Sequence, residues 1–204
     1  MRVLVACVES QTVCKAFREK GHEAFSCDIV PCSGGHPEWH IREDVLYVIR
    51  HPEIYGYFDL MIAHPPCTYL ANSGVCHLYN KDKSVNHERW VKVVEARNFF
   101  YAIRNAPIKR ICIENPVPHK YANLPKYDQI IQPYEFGHPE TKKTCLWLQN
   151  LPDLKATNNV KEEMLKLPKN QQQRLHYLPP SDNRAKLRSK TFEGIAKAMA
   201  DQWG

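Results

Sequence analysis

The sequence predicts an α/β fold, a mostly parallel sheet with helices on both faces. Three observations predict it. Short apolar runs stop abruptly at proline or at polar residues, as buried strands do. These runs alternate with segments of helical spacing, which crossover connections require. The residues best suited to chemistry fall just beyond the strand ends, where open α/β sheets bind their ligands. At 204 residues, 43% hydrophobic and 25% charged, the chain is long and apolar enough for one core with a small appendage.

The elements follow in order. "RVLVACV" (Arg2 to Val8) reads as a buried strand, and a helix is expected from about Thr12 to Lys20, ended by Gly21. "EAFSCDIV" is a second strand, stopped by Pro31, and a loop with Gly34, Gly35 and Pro37 leads to "HIREDVL". "FDLMIAHPP" is the next strand. Glu88 to Asn105 carries Trp90, Val93, Val94, Phe99, Phe100 and Ile103 at helical spacing, so these aromatics are expected in the core. "RICIENP" and "TCLWL" are further strands, and "TFEGIAKAMADQW" is a closing helix. The division expected is a core over 1–150, a Pro-, Asn-, Gln- and Lys-rich excursion or reduced recognition segment over 151–185, and a helical return over 186–204.

No apolar run approaches membrane-spanning length, and "MRVLVACV" lacks the plan of a signal peptide, so a cytoplasmic protein with no membrane contact is expected. Eight scattered cysteines read as reduced thiols. The formal charge of +6 is compatible with a phosphate-bearing partner. Cys27, Cys32, His36 and His40 have a spacing open to zinc, but Cys27 should alternate inward beside Asp28, and no metal site is expected.

Two residues carry the reactive chemistry. Cys67 stands just past Pro65 and Pro66, a rigid turn that would hold a thiol at a set angle. Glu114, in "ICIENP", is an acid placed after an apolar strand, where burial is expected to raise its pKa. A thiolate that adds to C6 of a cytosine, with an acid at N3, would make carbon 5 nucleophilic.

These residues resemble the cytosine-5 DNA methyltransferases, and more narrowly their short phage and prophage members. "AHPPC" is similar to the family's Pro-Cys motif and "IENP" to its Glu-Asn-Val motif. The resemblance implies a Rossmann-like S-adenosylmethionine-dependent fold, with Cys67, Glu114 and Asn115 as catalytic residues. It implies that S-adenosylmethionine is held by the "VLVACVES" loop with Cys7, Glu9 and Ser10, by Asp28 at the ribose, Ile29 on the adenine and Asp44 at its amino group; His64, next to Pro65, reads as lining the same pocket from its nearness to Cys67, with a surface position as the alternative. "EFGHPETKKTCLWL" is similar to a family segment that meets DNA, which implies Lys142 and Thr144 as contacts; Arg174, Arg184 and Arg188 extend the basic surface.

The departures matter too. Glu9-Ser10-Gln11 replaces the glycines of the first loop, and only Gly194 lies near the glycine of the closing motif. Some thirty residues replace a large recognition domain, so low sequence specificity, a single-stranded substrate or a base flipped from a duplex is expected. The same chemistry on a nucleotide or on RNA, and a non-catalytic nucleic-acid-binding or nucleotide-binding relic, stay open. The sequence is silent on oligomeric state.

Overall fold

A computed structural model describes all 204 residues, Met1–Gly204. Its seven strands are β1 (Arg2–Ala6), β2 (Glu23–Cys27), β3 (His40–Ile41), β4 (Leu60–Ala63), β5 (Arg110–Pro116), β6 (Gln129–Ile131) and β7 (Thr144–Gln149). They form one sheet in the order β3-β2-β1-β4-β5-β7-β6, in which only β7 runs against the others. The mostly parallel, Rossmann-like α/β fold expected from the sequence is the fold observed. No helix is long and apolar enough to cross a membrane.

The helices divide between the two faces because each strand alternates its side chains. Val3 and Val5 point to the side covered by α1 (Thr12–Glu19) and α8 (Glu193–Trp203), where Phe17, Met199 and Trp203 fill the core. Leu4 and Ala6 point to the side covered by α2 (Val45–Arg50), the one-turn α3 (Pro52–Tyr55) and α4 (His87–Arg104). There Phe100 meets Trp147 edge-on at 5.1 Å. Asn86 caps α4 by accepting a hydrogen bond from the Arg89 amide at 3.0 Å, and Asp44 caps α2 through the Leu46 amide at 2.7 Å.

The sequence reading placed β1, α1, β2, β4, α4, β5, β7 and α8 within a few residues of their positions; β3 takes only the first two residues of "HIREDVL", counted as the third strand, and α2, α3 and β6 were missed. β3 and β6 are two and three residues long, too short for a period to show. β7 proves antiparallel: it turns back beside β6 and inserts between β5 and β6, against the direction of both.

After β7 the chain runs through α5 (Lys161–Lys166), α6 (Lys169–Gln172) and α7 (Arg184–Ser189) before α8. The excursion lies against the core: Leu154, Val160, Met164 and Leu175 are buried, and the Leu154 amide donates to Gln129 Oε1 at 2.8 Å. Residues 186–190, expected with the closing helix, belong mostly to the separate α7, which ends before Lys190.

Strand order reverses between β1 and β4, since β2 and β3 extend one way and β4 and β5 the other. The crevice above that junction is where an open α/β sheet binds its ligand.

Candidate active site

A cavity of about 780 Å³ opens over the carboxyl ends of β1, β2 and β4. Cys7, Cys27, Asp28 and Ile29 form one wall, Glu43, Asp44 and Val45 a second, and Pro66 and Tyr69 the β4 side. Of the residues expected around a cofactor, Cys7, Asp28, Ile29 and Asp44 therefore meet in one place. Ile29 is 70% exposed, an apolar side chain held at the rim without a protein partner of its own size. Asp28 fixes its own turn by accepting the Val30 amide at 3.1 Å, and Asp44 keeps one oxygen free beyond its helix cap. Burial and the neighbouring Asp28 and Asp44 charges push the Cys27 thiol up to about 12, and the same causes raise Cys7, so both stay neutral thiols.

The remaining wall was not anticipated. Lys92, Glu95, Ala96 and Phe99 of α4 line the cavity, and Lys92 pairs with Glu95 at 2.9 Å. They stand at i, i+3, i+4 and i+7, one face of the helix. That spacing was the signal available in the sequence, masked because Phe99 read as core.

Glu9, Ser10, His64 and Pro65, expected around the cofactor, do not line this cavity. Glu9 accepts the Ser33 hydroxyl and lies 3.6 Å from Lys186 of α7. Ser10 faces a smaller recess between α1 and α8, and Pro65 is buried in the turn. His64 is taken by another strand, as described below. The loop without glycines still makes glycine-like turns. Cys7 and Gln11 adopt left-handed conformations, at φ 60° and 62°. Gln11 is wholly buried, and its amide donates to Ser26 and the His36 carbonyl while accepting from the His36 amide and Cys32. These four partners hold the strained residue in place.

The four residues with zinc-like spacing go to different partners. Cys27 Sγ donates to the Glu43 carbonyl, Cys32 to Gln11, His36 stacks on Trp39 at 3.7 Å, and His40 bonds Ser26 at 2.8 Å.

Beside the cavity, the turn after β4 carries the thiol. Pro65 and Pro66 end the strand, and the Cys67 carbonyl then accepts the amides of Leu70 and Ala71 at 3.0 and 2.9 Å. Arg89, at the start of α4, clamps the turn from outside: its guanidinium donates to the Thr68 carbonyl at 2.8 Å and lies 4.3 Å above the Tyr69 ring. Gly74 packs so close to the Thr68 carbonyl that a Cβ there would press on it. Cys67 is partly buried, and burial pushes its thiol up; Lys142 and Arg188 pull it down, and the Glu114 charge pushes it further up.

Glu114 sits one strand away. Ala63 of β4 pairs with Ile113 of β5, so His64 and Glu114 are the next cross-strand neighbours and point to the same face. His64 Nδ1 lies 3.2 Å from Glu114 Oε2, with both side chains about one-tenth exposed. The expectation of a raised pKa fails here. Burial alone would raise it, but the nearby His64 charge, the Lys142 cation and the Thr191 hydroxyl outweigh burial and hold the carboxyl down to about 2. Glu114 is a carboxylate at rest.

Asn115 is 3% exposed, and its Nδ2 has no partner; His64 Nε2 is likewise unpartnered. Of the five residues expected to meet nucleic acid, Lys142 and Arg188 bring positive charge to Cys67. Thr144 is buried in β7 with its hydroxyl donating to the Lys142 carbonyl, so it has no surface to offer. Arg174 is held by Glu140 at 2.9 Å, and Arg184 donates to the His176 carbonyl at 3.1 Å.

No protein-family model matches the chain, and no curated protein does. Among solved structures, it is similar to a candidate DNA modification methyltransferase encoded within an E. coli prophage, with a TM-score of 0.48 and 13% identity over 83% of this chain and 56% of that one. It is also similar to the S. pombe Dnmt2 methyltransferase, with a TM-score of 0.44 and 14% identity over 89% of this chain and 60% of that one. The chain spans less than two-thirds of either.

Proposed function

We propose that this protein is an S-adenosylmethionine-dependent methyltransferase that acts on carbon 5 of cytosine, in DNA, through a covalent bond between Cys67 and C6. The observation that carries the reading is the pairing of a thiol on a proline-fixed turn with a buried carboxylate on the next strand, where Pro66 of that turn lines a cavity that also holds Asp28 and Asp44.

The cavity fits the cofactor. Its volume lies within the roughly 300–1,000 Å³ of small-molecule sites. Asp28 would hold the ribose hydroxyls, Asp44 the adenine amino group, and exposed Ile29 the adenine face. Bound there, S-adenosylmethionine supplies an electrophilic methyl group. Cys67 attacks C6 once its proton has left, and the Lys142 and Arg188 cations favour that loss. Glu114 meets the cytosine at N3 and its exocyclic amine, and Asn115 Nδ2 supplies a donor in the same loop. The same two cations would meet phosphate.

One observation favours a second substrate class. The excursion over 151–185 is short and packs Leu154, Val160, Met164 and Leu175 against the core, with Leu165 and Tyr177 left exposed, so little of it is free to insert into a groove. A free cytidine nucleotide or RNA is the alternative, and the assay includes both. The protein is incubated with methyl-labelled cofactor and DNA, RNA or a cytidine nucleotide, and the products are resolved as nucleosides. Label in 5-methylcytosine from DNA is expected, with none from Cys67→Ser protein that still binds the cofactor in calorimetry. Label only in RNA or the nucleotide overturns the DNA assignment, and cofactor binding without label anywhere favours the binding relic.

A further inference from the structure

His64 stands out among the buried titratable groups, because the resemblance gives it no catalytic part and the structure turns it away from the cofactor cavity. It reaches Glu114 at 3.2 Å through Nδ1, and its Nε2 is buried without a partner. Glu114 Oε2 is also buried without a hydrogen-bond partner, and two such atoms side by side cost free energy unless a ligand completes them. We propose that His64 is a positioning residue that acts through Glu114, storing the proton which Glu114 delivers to N3 of the base. The inference rests on the cytosine reading above.

The chemistry needs such a store. A carboxylate cannot donate to N3, and Glu114 is ionised at rest. When a base enters, the His64 Nδ1–H bond breaks, its electron pair stays on nitrogen, and the proton passes to Glu114 Oε2. Glu114 passes it to N3 as the Cys67 sulfur bonds C6 and the C5–C6 π pair becomes available at C5. The thiol proton goes to water at the partly open turn. After methyl transfer C5 loses its own proton to water, the Cys67–C6 bond breaks with its pair on sulfur, the sulfur takes a proton back from water, and the N3 proton returns through Glu114 to His64. Glu114 ends as it began.

The groups facing this pair are few. Lys142 approaches from the loop before β7, Thr191 from the start of α8, Cys112 from within β5, and Cys67 from the turn, with Arg188 of α7 beyond it. Of all the groups around it, only His64 lies within 4 Å of the Glu114 carboxylate as an ion-pair partner.

The test has two arms on the full-length protein. Nitrogen-15 NMR follows the His64 ring against pH in wild-type and Glu114→Gln protein, without substrate. The His64 Nδ1 resonance is expected to move when the carboxylate is removed, and an unchanged ring spectrum overturns the pairing whatever the enzyme does. Single-turnover methyl transfer is then measured from pH 6 to 9 for wild-type and His64→Asn, whose amide can still donate near Nδ1 but cannot give up a proton. A loss of roughly tenfold at pH 6 that deepens to a hundredfold or more at pH 8 is expected, because only a Glu114 protonated from solvent still works. A loss equal at every pH, or no loss, overturns the relay. Wild-type protein that transfers no methyl at any pH defeats the cytosine reading itself, and the relay with it, even where the NMR arm upholds the pair.

Discussion

At the scale of single residues, placement and charge state separate cleanly. That Cys67 and Glu114 would stand at neighbouring strand ends was legible, because strand stops and proline turns are local signals. The ionisation of Glu114 was not. Burial can be guessed from "ICIENP", but the charges that overcome it come from His64, fifty positions earlier, and from Lys142, twenty-eight later. The same limit applies to Cys67, whose thiol is raised by burial. Raised means protonated near neutrality, so its reactivity should grow with pH. In iodoacetamide labelling followed by peptide mass spectrometry, exposed Cys76 is expected to react first at pH 7. Cys67 should gain at least tenfold in rate between pH 7 and pH 9. Fast, pH-independent labelling of Cys67 would mean that a resting thiolate is present and that the two cations dominate.

At the scale of elements, the parallel half of the sheet was readable and the antiparallel end was not. β1, β2, β4 and β5 are apolar runs with clear stops, whereas β6 is three residues whose pairing depends on β7 having already folded beside β5. The expected core role of α4 was half right. Val93, Phe100 and Ile103 are buried, but the face with Ala96 and Phe99 turns to the cavity, and Val94 is 39% exposed. The join between α8 and the site depends on one glycine. The Gly194 amide donates to His138 Nε2 at 3.0 Å, and a Cβ there would overlap the Phe136 carbonyl oxygen. Gly194→Ala must push back the first turn of α8, three residues after Thr191. It is expected to cost about 1–3 kcal/mol in urea unfolding and to lower methyl transfer more than cofactor affinity. Unchanged stability would show that the turn can shift freely.

At the scale of the whole molecule, the site is divided by the switch point of the sheet. The cavity of about 780 Å³ lies between β1, β2 and β4 on the α4 side, and the thiol, the carboxylate and two cations gather towards α7 and α8. The turn at Pro65 and Pro66 joins the two, with Pro66 lining the cavity and Cys67 next to it. The chain's charge of +6 is modest, and the cations that reach Cys67 are only Lys142 and Arg188, so substrate affinity should rest on the captured base more than on a long phosphate track. The measurement that tests the central claim most directly is therefore a covalent trap. Protein, labelled S-adenosylmethionine and an oligonucleotide carrying 5-fluorocytosine are incubated together, in single- and double-stranded form, and run on a denaturing gel. Fluorine replaces the proton that must leave C5, so the account predicts a labelled protein–DNA band with the wild-type chain and none with Cys67→Ser. Labelled product or cofactor binding without any such band, on either form of DNA, would contradict a bond between Cys67 and the base.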